Sequence, residues 1–275
     1  MYGGKNLDTL QHAYKELKDN ASFQNALKAQ FHILATLDDN DYGNSGDACE
    51  SNPNKEEAKN MFLEFFHVPR NDPRWCRNRG AYTSYQWETR LQIILLDLRY
   101  NMSPFLVTGD PNSSAQYVPD YADKSKTILG IEQWSWLEQE LEKPTQVRLV
   151  VSPLQVLADG HGFECWGMLP YERDRLLNLL HQSKGTTIIV SGDRHASALY
   201  RQADLVEVTS SSLTHTIGSG MLDNETDSWR VGDFIYSNNF GMIQFDWDEK
   251  IVMIAIHDAL TGLVVENWSF PMKQQ

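Results

Sequence analysis

Two short stretches of this sequence carry side chains whose types and spacing suit a hard cation. The first is TTIIVSGDRH, Thr186 to His195, an apolar run that stops at Ser191 and Gly192 and then presents Asp193 and His195 with one residue between them. A carboxylate and an imidazole at alternating positions can converge on one ion, and Gly192 is expected to let the backbone turn sharply. Taken alone, these residues are equally an ordinary turn with a surface Asp and His. The second stretch is LDDNDYGNSGD, Leu37 to Asp47, which holds Asp38, Asp39, Asp41 and Asp47. Carboxylates this dense repel one another, so the loop needs a cation, internal hydrogen bonds or full solvation. An EF-hand counted from Asp38 finds Asn40 and Gly43 where they belong, but Tyr42 at position 5 and Cys49 where a bidentate Glu is required, so that reading fails. A solvated cluster of Asx turns remains as the structural reading.

The hydropathy pattern supplies the elements that would position these groups. Thr186 to Val190 is β-branched throughout, which suits a strand buried on both faces of a mostly parallel sheet. Asp193 and His195 would follow its carboxyl end, where open α/β sheets bind ligands. FHILAT, Phe31 to Thr36, is expected to be a strand that delivers the acidic loop in the same way. Before it, Asp8 to Ala29 carries a helical stripe with a break near Asn20, and Lys55 to Phe66 is a second amphipathic helix. Ala81 to Trp87 and Arg90 to Leu98 predict a hairpin running into a buried strand. Ile131 to Leu141 predicts a helix that packs Trp134 and Trp136, Gln146 to Ser152 a strand, and Tyr171 to Gln182 a helix. This β-α-β-α-β alternation is followed by strand-like segments at Leu205 to Ser211, Gly241 to Asp246, Ile251 to Ile256 and Leu263 to Phe270. Strands without helices between them predict an antiparallel edge to a mixed sheet, or a second sheet packed on the first.

Composition bounds the possibilities. The chain has 275 residues, enough for a substantial core, and no linker-like stretch interrupts it, so one domain is expected. A hydrophobic fraction of 41% with eight Trp is a globular composition, and no apolar run reaches membrane-spanning length. A formal net charge of −13 opposes binding to nucleic acid phosphates and favours cation uptake. The start, MYGGKNLDTL, lacks the basic and apolar regions of a secretory signal. N-x-S/T sequons at Asn20, Asn101, Asn112, Asn224 and Asn267 nevertheless lean toward a secreted parent protein. Cys49 and Cys76 are the candidate disulfide pair, with free thiols as the equal alternative. Oligomeric state is not legible.

Several longer motifs occur in a telling order: the acidic loop Asp38 to Asp47, ILLDLRY at Ile94 to Tyr100, LGIEQWSWLEQEL at Leu129 to Leu141, SPLQVL at Ser152 to Leu157, FECWG at Phe163 to Gly167 and SGDRH at Ser191 to His195. EVTSSSLTH at Glu207 to His215 and NNFGMIQFDW at Asn238 to Trp247 follow. Over nearly the whole chain this order resembles the alkaline phosphatase D-like, or PhoD-like, metallophosphatases. The resemblance implies a single α/β domain over residues 1–275, built as a metallophosphatase-like four-layer α/β-β/α sandwich with mixed sheets. It also implies two or more metal ions, and hydrolysis of phosphate mono- or diesters by in-line attack of metal-bound hydroxide. The partner would then be a small phosphate ester. Asp39, Asp193 and His195 become expected metal ligands, and such oxygen-rich donors with one imidazole suit Mn, Fe or Ca. Arg99 could clamp a phosphate oxygen, with Asp97 orienting it or a ligand histidine; a structural ion pair at a strand end is the competing reading. His161, in ADGHGF, is either a further ligand or substrate contact, or a solvent-exposed loop histidine.

Two departures from the family pattern bear on activity. The acidic loop of the family reads D-D-H-D, and Asn40 stands where that His is expected. Asn can donate a hydrogen bond but supplies no proton, so loss of the general acid alone predicts a rate lower by roughly 10²-fold or more. The family also begins with a strand bearing a Cys or Asp ligand and a G-D-x-x-Y segment. MYGG resembles the tail of that segment, with Tyr2 at its Tyr, so the fold is expected to be truncated at its amino terminus and to lack those ligands. The alternative function is therefore a non-catalytic relative that binds phosphate ligands or a partner through the same crevice. A structural calcium-binding protein is a third reading that only the charge supports.

Overall fold

A computed structural model describes residues 6–29, 31–42 and 50–273. Asp47, Cys49 and the Met1 to Gly4 segment lie outside the described residues. The chain forms two compact units that alternate along the sequence: Met1–Thr83, Leu95–Pro104 and Ser125–Trp136 make the first, and Ser84–Ile94, Phe105–Lys124 and Leu137–Gln275 the second.

The first unit is built on helices. Asn6 caps α1 (Leu7–Asp19): its side-chain oxygen accepts the Thr9 N–H at 3.0 Å, and the Thr9 hydroxyl accepts the Asn6 N–H at 3.2 Å. This reciprocal capping box fixes where the helix starts. Asn20 ends α1 and caps α2 (Ala21–Lys28) by accepting the Phe23 N–H at 3.0 Å, so the predicted break is one residue serving two helices. Ala58, Phe62 and Leu63 of α3 (Lys55–Phe65) share a buried cluster with Leu10, Tyr14, Leu37, Tyr42 and Tyr100. Lys59 is fully buried among them, and its ammonium is satisfied by the carbonyls of Cys76 and Arg79 at 2.9 and 2.7 Å and by Glu56 at 3.0 Å.

Phe31 to Thr36 is not the strand its sequence predicts. Phe31 is 71% exposed, and the Thr36 hydroxyl donates to the Leu96 carbonyl at 2.5 Å. A side chain thus takes an acceptor that a strand ladder would use, and apolar alternation alone cannot supply a ladder partner.

The second unit carries the sheets. β1 (Thr83–Trp87) and β2 (Leu91–Leu95) are the predicted hairpin. A small antiparallel pair, β3 (Leu106–Val107) and β4 (Tyr117–Val118), lies in a stretch to which the sequence pattern assigns no element. After α4 (Gly130–Glu142) come β5 (Val147–Ser152), α5 (Pro170–Gln182), β6 (Thr186–Ser191), β7 (Ser197–Gln202), β8 (Leu205–Ser210) and β9 (Arg230–Ile235). The large sheet runs β1-β2-β5-β6-β8-β7-β9 and is mixed: β5, β6 and β8 are parallel neighbours, while β7 pairs antiparallel with both β8 and β9. β10 (Asn239–Asp246), β11 (Ile251–Asp258) and β12 (Val264–Pro271) form a separate antiparallel sheet. Val252, Ile254 and Ile256 of that sheet share a core cluster with Val147, Ile188, Leu199, Val206 and Val208 of the large one, so two sheets pack face to face. This is the mixed-sheet α/β fold the sequence predicts.

Two strands of the large sheet likewise match no predicted element. β9 falls in a polar stretch, and Gly232 at its centre takes φ +77°, which interrupts the alternation a strand displays. β7 follows GDRH so closely that its six residues merge with the loop signal. The Arg90 to Leu98 strand, for its part, ends at Leu95. Beyond it Gln133 of α4 takes both backbone groups of Asp97, at 3.0 Å from N–H to Oε1 and 2.7 Å from Nε2 to carbonyl.

Candidate functional site

In the first unit the acidic residues sit on a 3-10 turn, Asp39–Tyr42, that keeps their carboxylates close together. Asp38 accepts from Arg99 Nε at 2.6 Å, and that guanidinium is fully buried. Asp41 accepts the Asp38 N–H and the Tyr14 hydroxyl, each at 3.1 Å. Burial pushes the Asp41 carboxyl up to about 6, against the lowering effect of those hydrogen bonds. Asp39 is held above the usual carboxylate range by burial and by the neighbouring Asp38, while Asn40 Nδ2 donates to it at 3.0 Å. The repulsion that the sequence predicts is therefore handled by an arginine and by internal hydrogen bonds.

Asp97 has a clear structural task. Its Oδ2 accepts the Tyr42 hydroxyl and the Ala81 N–H, each at 2.7 Å, and its Oδ1 accepts the Arg99 and Tyr100 N–H groups, each at 3.1 Å. It orders the turn after β2 through these four donors. Trp134 is buried, and Trp136 packs on Tyr82 with ring centroids 4.7 Å apart, the packing role expected of both.

In the second unit β6 is buried along nearly its whole length and delivers the chain to the GDRH loop. The sharp turn there is not made by Gly192. Asp193 takes φ +68° and His195 φ +54°, so two non-glycine residues occupy the left-handed region on either side of Arg194. Such residues are uncommon and cluster where a structure holds functional groups against local preference. The loop is tied down on both sides: the His195 N–H donates to Ser211 Oγ at 3.1 Å, and the His195 carbonyl accepts the Ile217 N–H at 2.9 Å. His215 meets His195 edge to face, with ring centroids 4.9 Å apart. The TSSSLTH motif contained this histidine, but no spacing rule links residues on two different loops.

His161 is buried rather than solvent-exposed. The Phe163 N–H donates to its Nδ1 at 3.2 Å, which fixes the proton on Nε2, and Nε2 then donates to Gln155 Oε1 at 3.2 Å. Burial and the nearby Arg194 charge depress it to about 3, so it stays neutral with both ring nitrogens engaged. As placed it offers no lone pair to a ligand. Gln155 extends the network to Tyr200 and Thr209 at 3.1 and 2.9 Å, and Thr209 reaches Ser191 at 2.8 Å. Buried Glu207 accepts the Val156 and Leu157 N–H groups, while Arg173 donates to the carbonyls of the same two residues at 2.6 and 2.7 Å. The SPLQVL segment is thus pinned through donors and acceptors alike.

The metal that the family resemblance implies is not matched by these donors. Among the described residues no three His, Cys, Asp or Glu side chains gather as an ion would require. Asp38 and Asp41 are committed to Arg99 and Tyr14. Cys165 is a buried thiol that burial pushes up to about 12, far from the thiolate a metal needs. Cys76 is exposed, and its possible partner Cys49 is outside the described residues.

The family model described as PhoD-like phosphatase matches residues 4–249. Among solved structures, that of PhoD superposes with a TM-score of 0.70 at 14% identity, covering 97% of this chain and 58% of that one. The chain therefore spans less than two thirds of that protein. Purple acid phosphatase PPD1 from yellow lupin (Lupinus luteus) seeds superposes with a TM-score of 0.50 at 12% identity, over 78% of this chain and 36% of that one. At these identities the likeness is one of fold. A search among curated proteins gives no match. Among the described residues no helix is long and apolar enough to cross a membrane.

Proposed function

Since this chain belongs to the PhoD-like phosphatase family, we propose that it hydrolyses small phosphate esters, with the loop between β6 and β7 as the reacting region. The observation that carries this reading is the backbone of that loop, where Asp193 and His195 are both held at positive φ and His195 is set against His215. An imidazole is the side chain best suited to take a proton from attacking water and return one to a leaving oxygen near neutrality. His195 is assigned that work, and His215 steadies its ring. Arg99, buried and engaged by Asp38, is assigned to holding the acidic turn in shape rather than to clamping phosphate. Asn40 contributes a hydrogen bond to Asp39 and no proton, so leaving-group protonation is not assigned to that turn.

The test is turnover of p-nitrophenyl phosphate and bis(p-nitrophenyl) phosphate, with the protein as isolated, after chelation, and with Mn²⁺, Ca²⁺ or Fe³⁺ added. His195→Ala is expected to lower the rate by about 10²-fold or more. The hydrolase reading is lost if no condition gives turnover above that of the variant. Asn40 favours one second reading, a relative that binds phosphate esters without cleaving them; calorimetric binding of phosphate in the absence of turnover would establish it.

A further inference from the structure

The segment between β8 and β9 is anchored at two places within the second unit. Its first half returns to the β6–β7 loop, where Ile217 donates to the His195 carbonyl at 2.9 Å and His215 stands against His195. Its second half docks on the ADGHGF turn. Asp227 Oδ1 accepts the Asp159 and Gly160 N–H groups at 2.8 and 2.6 Å, and Asp159 Oδ1 accepts the Ser228 N–H at 3.0 Å. The approach is close enough to demand glycine: a Cβ on Gly160 would stand 2.8 Å from the Asp227 nitrogen. Between the anchors, Arg194 of the GDRH loop pairs with Glu225.

The side chain of Asp227 is fully buried, and Arg230 lies 3.8 Å from its Oδ2. Arg194 Nε, Glu225 Oε2, Asp227 Oδ2 and Arg230 Nε are all buried without a hydrogen-bond partner. Buried charges left this incompletely paired are uncommon in a segment that only connects strands. They gather where the segment meets the GDRH loop and the ADGHGF turn.

We propose that Asp227 is a positioning residue for the candidate site: by docking the β8–β9 segment on the Asp159 to His161 turn, it holds His215 against His195. The inference rests on the reading of the β6–β7 loop as the reacting region. The bonds of Asp227 run to the Asp159 and Gly160 N–H groups, so its effect on the histidines travels through the seated segment.

The experiment is amide hydrogen exchange at Ile217, together with the His215 ring resonances and the kinetics of p-nitrophenyl phosphate turnover, in Asp227→Ala and Asp227→Asn. Gly160 loses its acceptor in the Ala variant on any view; Ile217 lies at the other anchor and loosens only if Asp227 seats the whole segment. The Ala variant is expected to speed Ile217 exchange by about tenfold or more, to shift the His215 ring resonances, and to lower kcat with little change in KM. The Asn variant keeps an acceptor oxygen and should restore all three. Unchanged Ile217 exchange and His215 resonances in Asp227→Ala would overturn the proposal. Asp159→Ala, at an exposed position, removes only the Ser228 bond and gives the same readout if the first variant does not fold. Lack of turnover by the unaltered protein would remove the hydrolase reading and leave the exchange data to decide the docking role.

Discussion

Asp38 and Asp41 in the first unit are answered by Arg99 and Tyr14, at 2.6 and 3.1 Å, with the backbone in a plain 3-10 turn. Asp193 and His195 in the second unit are held differently, by a backbone driven into the left-handed region at both residues. In the acidic turn the difficulty is electrostatic and is met by pairing. In the GDRH loop it is conformational, and it is sustained by bonds from Ser211 and Ile217 to the His195 backbone. A region that neutralises its own charges has less reason to recruit an ion. One that keeps unfavourable torsions has a side chain to present. The contrast is why the proposed chemistry is assigned to the second region.

The two units should also answer acid in opposite directions. His161 is depressed to about 3 in the folded protein, against about 6.5 in an unfolded chain. Its contribution to stability is full above about 6.5 and is lost as pH falls toward about 3, a swing of about 5 kcal/mol. Urea melts from pH 7 to pH 4 should show that loss, and His161→Gln should flatten it. Asp41 stands at about 6 when folded and about 3.9 when unfolded. It favours folding most below about 3.9, and its contribution of about 3 kcal/mol is lost as pH rises through 6. Carbon-detected titration of its carboxyl would read the midpoint, and a midpoint near 4 would remove the electrostatic half of the comparison.

Substitutions sharpen the contrast further. Arg99→Met takes the buried cation from Asp38 and is expected to destabilise the fold by about 3 kcal/mol in urea melts. A neutral outcome would mean that the turn does not depend on the arginine. Asp193→Gly relieves one left-handed residue and should stabilise the protein by about 1 kcal/mol while lowering turnover. Stabilisation without loss of rate would detach the strained backbone from function. Tyr14→Phe is the smallest change. It should cost about 1 kcal/mol and raise the Asp41 midpoint further, because the lost hydroxyl bond favours the charged form.

The sequence disclosed the parts of this architecture that local pattern controls. The β-branched run of β6, the stripes of α1 and α3 and the helix break at Asn20 are all set by neighbours within a few residues, and all stand where the pattern placed them. Phe31 to Thr36 failed because a strand needs a ladder, and the partner of Thr36 is the carbonyl of Leu96, sixty residues away. The candidate site divides along the same line. Asp193 and His195 announced themselves by spacing, whereas His215, the fixed tautomer of His161 and the docking of Asp227 are set by contacts between separate loops. Gly192 drew attention as the turning residue, yet the positive torsions fall on its neighbours, where sequence composition gives no warning.

The alternation of the two units along the chain governs the order in which the protein can be made. Every residue of the first unit lies before Leu137, so the acidic turn, Arg99, Asp97 and Gln133 have all been synthesised before β5 is complete. Emerging chains fold by units as these become available. The unit that resolves its charges internally can therefore close on the ribosome while β6, the GDRH loop and the β8–β9 segment are still unmade, leaving the strained loop to form later, on a chain already partly folded.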